Sequence, residues 1–282
     1  MRKLTLWGQA WRQLVLFAIG IFVLFPIYGL LRMAFDGSLK GAATEFHWLP
    51  KQFSVQPMLA VLDRPYQSAQ FSTILGNSLV VSFSAAILAL VLGVSLAYAF
   101  ARFRFPGRQS GLFIILLTAL LPPIAFTTPL YILLSWLGIR GSLLALILVY
   151  AAFAMPFCVW NLRAAFQAIP RETEEAAYLD GAGDLATFAC ISLPLSLPAI
   201  AVAALIAFLT AYSEFTIGWL FVSKPNTVTL AMAIYAIVST GAAQPWSQLG
   251  SLALLMSIPV VVIFLLLQRA LLERMMFGAA DD

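Results

Sequence analysis

Long apolar runs recur along nearly the whole chain, each closed by basic, glycine-containing or proline-containing segments. Residues 14–35, 71–101, 111–137, 142–166, 191–222 and 249–272 are each long enough to cross about 30 Å of hydrocarbon at 1.5 Å per residue. Six transmembrane helices are therefore predicted. Helices are favoured over strands because lipid satisfies no backbone N–H or C=O group, and the runs lack the two-residue alternation of a barrel strand. The second and fifth runs exceed the bilayer requirement, which predicts tilt or extension beyond the membrane. Pro122, Pro123 and Pro129 break the third run, and Pro194, Pro198 and Pro259 interrupt the last two. Each frees carbonyl groups that must face protein or a water-filled path, or else serves simple bending for packing.

Composition agrees with this pattern: 62% of the 282 residues are hydrophobic and 10% charged, a balance that excludes an ordinary soluble domain. One membrane domain over residues 1–282 is expected. The net charge of +4 does not signal nucleic acid, because the basic residues sit at the ends of apolar runs, where they act as orientation signals and headgroup anchors. With six spans, one side receives Arg2, Lys3, Arg12, Arg102, Arg104, Arg108, Arg163, Arg171, Arg269 and Arg274. The other receives Arg32, Lys40, Lys51, Arg64, Arg140 and Lys224, half of them in one long loop. The positive-inside bias then puts both termini, and the acidic loop at 168–190, in the cytoplasm. The first run is too long for a signal-peptide core and is read as a retained span. Cys158 and Cys190 are expected to be buried free thiols. His47 has no Cys or His neighbour and is assigned to the surface. Tyr131, Trp136, Tyr150, Trp160 and Trp219 fall near predicted span ends, where aromatic belts form.

Chemistry concentrates in the acidic loop. Pro170 favours a helix start, and the glutamates that follow complement the positive end of the helix dipole. Gly181 and Gly183 permit a turn, and Asp184 is placed to cap a second short helix running toward Cys190. A surface helix–turn–helix follows. Ala176 and Ala177 give it a low profile that a partner's groove can approach, while Glu175 supplies a charge for docking; a merely solvated acidic loop is the alternative. Within the spans Glu214 is the single acid. A charge at mid-membrane costs about 2.5–3.5 kcal/mol on insertion scales, so it must face the bundle interior, water or a partner. It is a candidate for the path or gate together with Pro122 and Pro123, or a hydrogen-bonded structural group.

Glu175-Ala176-Ala177, Asp180-Gly181-Ala182, Phe188, Ile191, Leu193-Pro194 and Pro198 resemble the signature cytoplasmic loop of ABC importer permeases. Asp before Gly-Ala is similar to the carbohydrate-uptake group, whereas polyamine and iron permeases more often carry Leu there. Ala97-Tyr98-Ala99-Phe100-Ala101-Arg102-Phe103-Arg104-Phe105-Pro106-Gly107 resembles the end of the second span in the shorter maltose-type permeases, and Ser213-Glu214-Phe215 and Gln268-Arg269 also fall at familiar points. The resemblance runs from about Phe71 to Arg269. It implies an all-α integral membrane protein with the type I importer permease fold, cytoplasmic coupling helices and sugar uptake by alternating access. The implied partners are a second, different permease subunit, an ATPase dimer that binds ATP and Mg, an external solute-binding protein and membrane lipid. Glu172, Glu175, Ala176, Ala177, Asp180, Gly181 and Ala182 would form the ATPase-coupling element. The tail Met276-Phe277-Gly278-Ala279-Ala280-Asp281-Asp282 departs from the Gly-rich, Lys-Gly ending of maltose-type permeases.

A secondary transporter would normally carry several intramembrane ionisable groups or inverted repeats, and an intramembrane protease would need paired catalytic groups within the spans. Neither pattern is present, and no phosphate-binding loop of the Walker type occurs. No cofactor of its own is expected, and energy must come from a partner. Maltose, trehalose or a related oligosaccharide is the expected solute, with glycerol phosphate and polyamine as alternatives.

Overall fold

The computed structural model describes residues 6–39, 45, 47–222, 224–239 and 246–278, with side chains from Trp7 to Gln268 among them. Arg2, Lys3, Lys40, the side chains of Arg269 and Arg274, and the tail 279–282 lie outside the described residues. Among the described residues the regular elements are helices: α1 (Leu6–Ala34), α2 (Gln56–Asp63), α3 (Phe71–Arg102), α4 (Arg108–Leu120), α5 (Thr127–Trp136), α6 (Leu143–Ala168), α7 (Arg171–Leu179), α8 (Asp184–Thr187), α9 (Leu193–Leu195), α10 (Leu197–Ser213), α11 (Thr216–Phe221), α12 (Leu230–Ser239) and α13 (Trp246–Gly278). Short 3₁₀ turns occupy Pro123–Phe126 and Pro225–Thr227, and a π-helical turn occupies Phe188–Ser192.

Four of these helices are long and apolar enough to cross a membrane unbroken: α1, α3, α6 and the Trp246–Gln268 part of α13. The other two predicted spans are bent pairs. Arg108–Leu120 meets Pro123–Trp136 at 103°, and Asp184–Leu195 meets Leu197–Ser213 at 75°, so six spans result if each pair counts as one. The first bend follows from local chemistry. Pro122 and Pro123 remove two consecutive N–H groups, and Leu121 and Pro122 adopt extended ψ angles of 136° and 131° before the chain re-coils. The fifth predicted run, 191–222, is also not one helix. It ends at Ser213, Glu214 is extended, and α11 follows as a separate turn-and-a-half.

The chain forms two compact units, residues 1–71 with 234–258, and residues 72–233 with 259–282. In the first, α1 approaches α13 where Gly250 stands: a Cβ there would come within 2.9 Å of the Ala34 backbone nitrogen. Ser251 Oγ donates to the Ala34 carbonyl at 3.2 Å. Asp36 organises the following loop by accepting from Ser38 Oγ (2.6 Å), Ser38 N (3.1 Å) and Lys51 N (3.1 Å). Burial alone would raise its pKa, but these hydrogen bonds outweigh that effect and hold the carboxyl below its ordinary value. Arg32, expected as an external anchor, is instead buried and donates to the His47 carbonyl.

The second unit holds every candidate site residue. Its centre is the pairing of α10 with α6. Ala199, Ala203, Ala207 and Ala211 recur every fourth residue on the buried face of α10, a spacing that lets two backbones approach closely without a hydrophobic gradient to drive them. Asn161 of α6 crosses the seam to donate to the Ala199 carbonyl at 3.1 Å. Gly93 performs the same service for α3 on α6, since a Cβ there would lie 2.8 Å from that of Cys158. Cys158 is buried as expected, but Cys190 is exposed, on the outer side of the π-helical turn.

Candidate functional site: a braced helix pair and a broken span

Helix α7 begins where Pro170, which has no N–H to leave unsatisfied, occupies the N-cap position, with Glu172 and Glu174 in the first turn. It ends in a Schellman motif. Ala182 N bonds to Ala177 O at 2.9 Å and Gly181 N to Tyr178 O at 3.0 Å, with Gly181 in the left-handed region at φ +89°. The turn is closed a second time by Tyr178, whose hydroxyl donates to Asp184 Oδ1 at 3.1 Å. Partial burial, that hydrogen bond and neighbouring acidic groups raise the Tyr178 pKa above its ordinary value. Asp184 therefore does not cap α8 as expected. Gly183 occupies that position, and the Asp184 carboxylate is engaged by Tyr178.

The expected docking residues lie together on this helix pair. Glu172, Glu175, Ala176, Asp180 and Gly181 are exposed, and Ala177 and Ala182 are half-buried. Between them stand two residues that the sequence did not single out, Leu179 and Leu185, at 90% and 78% exposure. Two bare leucines thus stand among exposed glutamates and glycine.

Beneath that surface the pair is braced to the spans. Glu174, between the exposed Glu172 and Glu175, points inward and is buried, and its Oε2 lies 2.8 Å from Nε of Arg102 at the end of α3. The contact is ionic, since the Nε–H is not aligned with the carboxylate. Ser192 Oγ donates to the other oxygen, Oε1, at 2.5 Å. A second nitrogen of Arg102 donates to the Ile169 carbonyl at 2.9 Å, where α6 ends. Tyr98 of α3 packs on Phe166 of α6 and Phe188 of the π-helical turn, with centroids 5.3 and 4.7 Å apart. Four segments thus meet at one carboxylate and one ring. In the sequence Arg102 reads as an orientation signal at a span end, and Glu174 does not stand out between Glu172 and Glu175. Only the three-residue spacing that puts 174 and 177 on one face marks it as inward.

Glu214, Pro122 and Pro123 lie on segments linked through α11. Glu214 is half-buried, and its carboxylate accepts the backbone N–H groups of Ile217 (2.9 Å) and Gly218 (3.1 Å), which would otherwise be orphaned at the start of α11. Helix α11 packs in turn on the Pro123–Phe126 turn, α5 and α6. Tyr150, expected in an aromatic belt, is fully buried here; a Cβ at Gly218 would overlap its hydroxyl and the Met232 methyl. Pro123 also borders a cleft of about 460 Å³, with Leu121, Phe126, Phe153, Pro156 and Thr210 among its walls. Glu214 does not line that cleft. Replacing Glu214 by leucine removes two acceptors and is expected to lower stability by about 1–3 kcal/mol. Glutamine, which keeps one carbonyl oxygen, should restore most of the melting temperature of the purified protein.

Residues 89–277 match the family of the binding-protein-dependent transport system inner membrane component. The maltodextrin transport system permease protein MdxG of Bacillus subtilis is 29% identical over 243 residues, 86% of this chain and 86% of that protein. The trehalose transport system permease protein SugB of Mycobacterium tuberculosis is 32% identical over 212 residues, 74% of this chain and 77% of that protein. Among solved structures, a bacterial ABC transporter that imports the acidic polysaccharide alginate superimposes with a TM-score of 0.73 at 22% identity, over 95% of this chain and 99% of that one. That likeness confirms the helical permease fold expected from the sequence. With the apolar spans, the family match covering most of the chain and these relatives in agreement, the protein belongs to the inner membrane permease components of binding-protein-dependent ABC transport systems.

Proposed function

We propose that this chain is one of two different permease subunits in an ATP-driven importer of a sugar or short oligosaccharide, and that α7 and α8 seat in a cleft of a separate ATPase. The ATP and Mg would be bound by that ATPase dimer, and an external binding protein would deliver the solute. The single observation that carries this reading is the pairing of an outward surface, Leu179 and Leu185 among Glu172, Glu175 and Gly181, with an inward brace, Arg102–Glu174. A helix that merely decorated the surface would not need a buried ion pair to fix it to α3 and α6. Nucleotide can drive such a protein only if the nucleotide-bound ATPase prefers one arrangement of the spans, because a ligand shifts states through differential affinity alone. The brace is what would transmit that preference. Glu214, Pro122 and Pro123 would shape the path or its gate, and both chain ends would lie in the cytoplasm. The sugar assignment rests on the Asp180-Gly181-Ala182 sequence and on the solutes named for the relatives.

Co-purification tests the docking. A tagged chain expressed with its neighbouring genes should recover an ATPase subunit, and Leu179→Asp/Leu185→Asp should reduce that recovery at least about ten-fold, since each buried leucine contributes about 1.5–3 kcal/mol to an interface. Unchanged recovery would rule the surface out. In a Cys190→Ser background, Leu179→Cys should react with a membrane-impermeant maleimide in inside-out vesicles only; labelling in right-side-out cells would reverse the topology. Uptake inhibited by maltotriose and not by glycerol 3-phosphate is expected, and the opposite selectivity would replace the sugar assignment.

A further inference from the structure

The connection between α3 and α4 builds a pocket that the importer reading does not use. It has a volume of about 540 Å³ and is bordered by Arg104, Gly107, Arg108, Gln109, Ser110 and Arg163. Three arginines, Arg104, Arg108 and Arg163, line it, and no acidic residue does. Gly107, in the left-handed region at φ +81°, turns the chain so that α4 starts at the pocket wall. The N–H groups of Gln109 and Ser110 precede that of Gly111, the first with an intrahelical acceptor, Gly107 O at 2.7 Å. The Nε of Arg163 is buried and has no hydrogen-bond partner, while Arg108 is held in place by donating from Nε to the Phe100 carbonyl at 2.9 Å. Arg104 is exposed. Three like charges around one cavity repel one another, and at a span end they are stabilised by a counter-anion.

The neighbouring surface says what carries that anion. From the pocket, α4 runs on with Phe113, Leu117 and Leu120 exposed at 65%, 44% and 81%. Their helical spacing makes one exposed apolar stripe along the helix. A phosphate with acyl chains satisfies both features at once: the head in the arginine pocket, the chains along the stripe. Free phosphate would use only the first. We infer that the Arg104–Arg108–Arg163 pocket binds the phosphate of an anionic phospholipid whose acyl chains lie along α4. The inference needs only that the chain is membrane-embedded. It is independent of the ATPase reading, so either can fail alone.

Native mass spectrometry of the detergent-purified full-length protein, with its co-purifying subunits, tests it by titration with palmitoyl-oleoyl phosphatidylglycerol against the phosphatidylcholine of the same chains. Each basic residue near a lipid surface contributes about a five-fold preference for the anionic lipid. Wild type should therefore retain phosphatidylglycerol preferentially, Arg104→Gln should lose about five-fold, and Arg104→Gln/Arg163→Gln about 25-fold. Arg104 is exposed, so Arg104→Gln is expected to fold, as a thermal melt would verify; Arg104→Lys should keep most of the preference. Inorganic phosphate at millimolar concentration should not displace the bound lipid. Equal retention of the two lipids overturns the inference, as does displacement by inorganic phosphate alone. So does loss of a protein subunit from the variants with lipid preference intact, which would give the arginines to a polypeptide partner.

Discussion

Replacing Glu174 by alanine is expected to abolish solute uptake while leaving the spans inserted. The substitution strands Arg102 in a site where its side chain is only 9% exposed, and removing one partner of a buried pair costs about 3–5 kcal/mol. Ser192 loses its acceptor as well. The Tyr98–Phe166–Phe188 cluster would then carry more of the attachment of the α7–α8 pair. Uptake into proteoliposomes should fall more than ten-fold, and ATP hydrolysis, where an ATPase is bound, should no longer follow added solute. Removing both charges at once, as Arg102→Met/Glu174→Leu, replaces an ion pair by apolar volume and should recover much of the melting temperature. Uptake by the single Glu174→Ala variant at wild-type rate would show that the brace transmits nothing.

Gly181→Pro is the second severe change. Proline requires φ near −65° where Gly181 stands at +89°, and it deletes the N–H that bonds to Tyr178 O. Strain of this kind and a lost cap together cost about 3 kcal/mol or more. No side chain approaches a Cβ at Gly181, since no atom lies within 4 Å of one. The effect is therefore purely on the backbone of the turn, and Gly181→Ala should be markedly milder. Recovery of the ATPase with the tagged chain should drop in the order wild type, Gly181→Ala, Gly181→Pro. Equal recovery across the three would detach the turn from docking.

The spans were legible because lipid imposes one rule on every residue that crosses it, and a run of apolar residues is that rule written out. Their breaks were half legible. Pro122-Pro123 announces a kink from its chemistry alone, but the end of α10 at Ser213 depends on Glu214 finding the amides of α11, which a hydropathy profile cannot register. The proposed docking face was legible as a motif. Its brace was not, because Arg102 and Glu174 are far apart in sequence and each has an ordinary explanation when read alone, one as an anchor and one as a surface acid. Leu179, Leu185 and Cys190 escaped for the opposite reason: apolar residues beside a membrane span are expected to be covered, and here they are not.

The 75° elbow at Ser196 has a mechanical consequence. Its shorter arm, Asp184–Leu195, is about 18 Å long and carries the turn next to α7; its longer arm, α10, is about 25 Å long and stops beside Glu214. A crank with those arms magnifies displacement. Tilting the short arm by about 10° sweeps the far end of α10 through about 4 Å, roughly the width of a carbon chain. A nudge delivered at one surface of the membrane would thus reappear, enlarged, at the helix start that Glu214 holds.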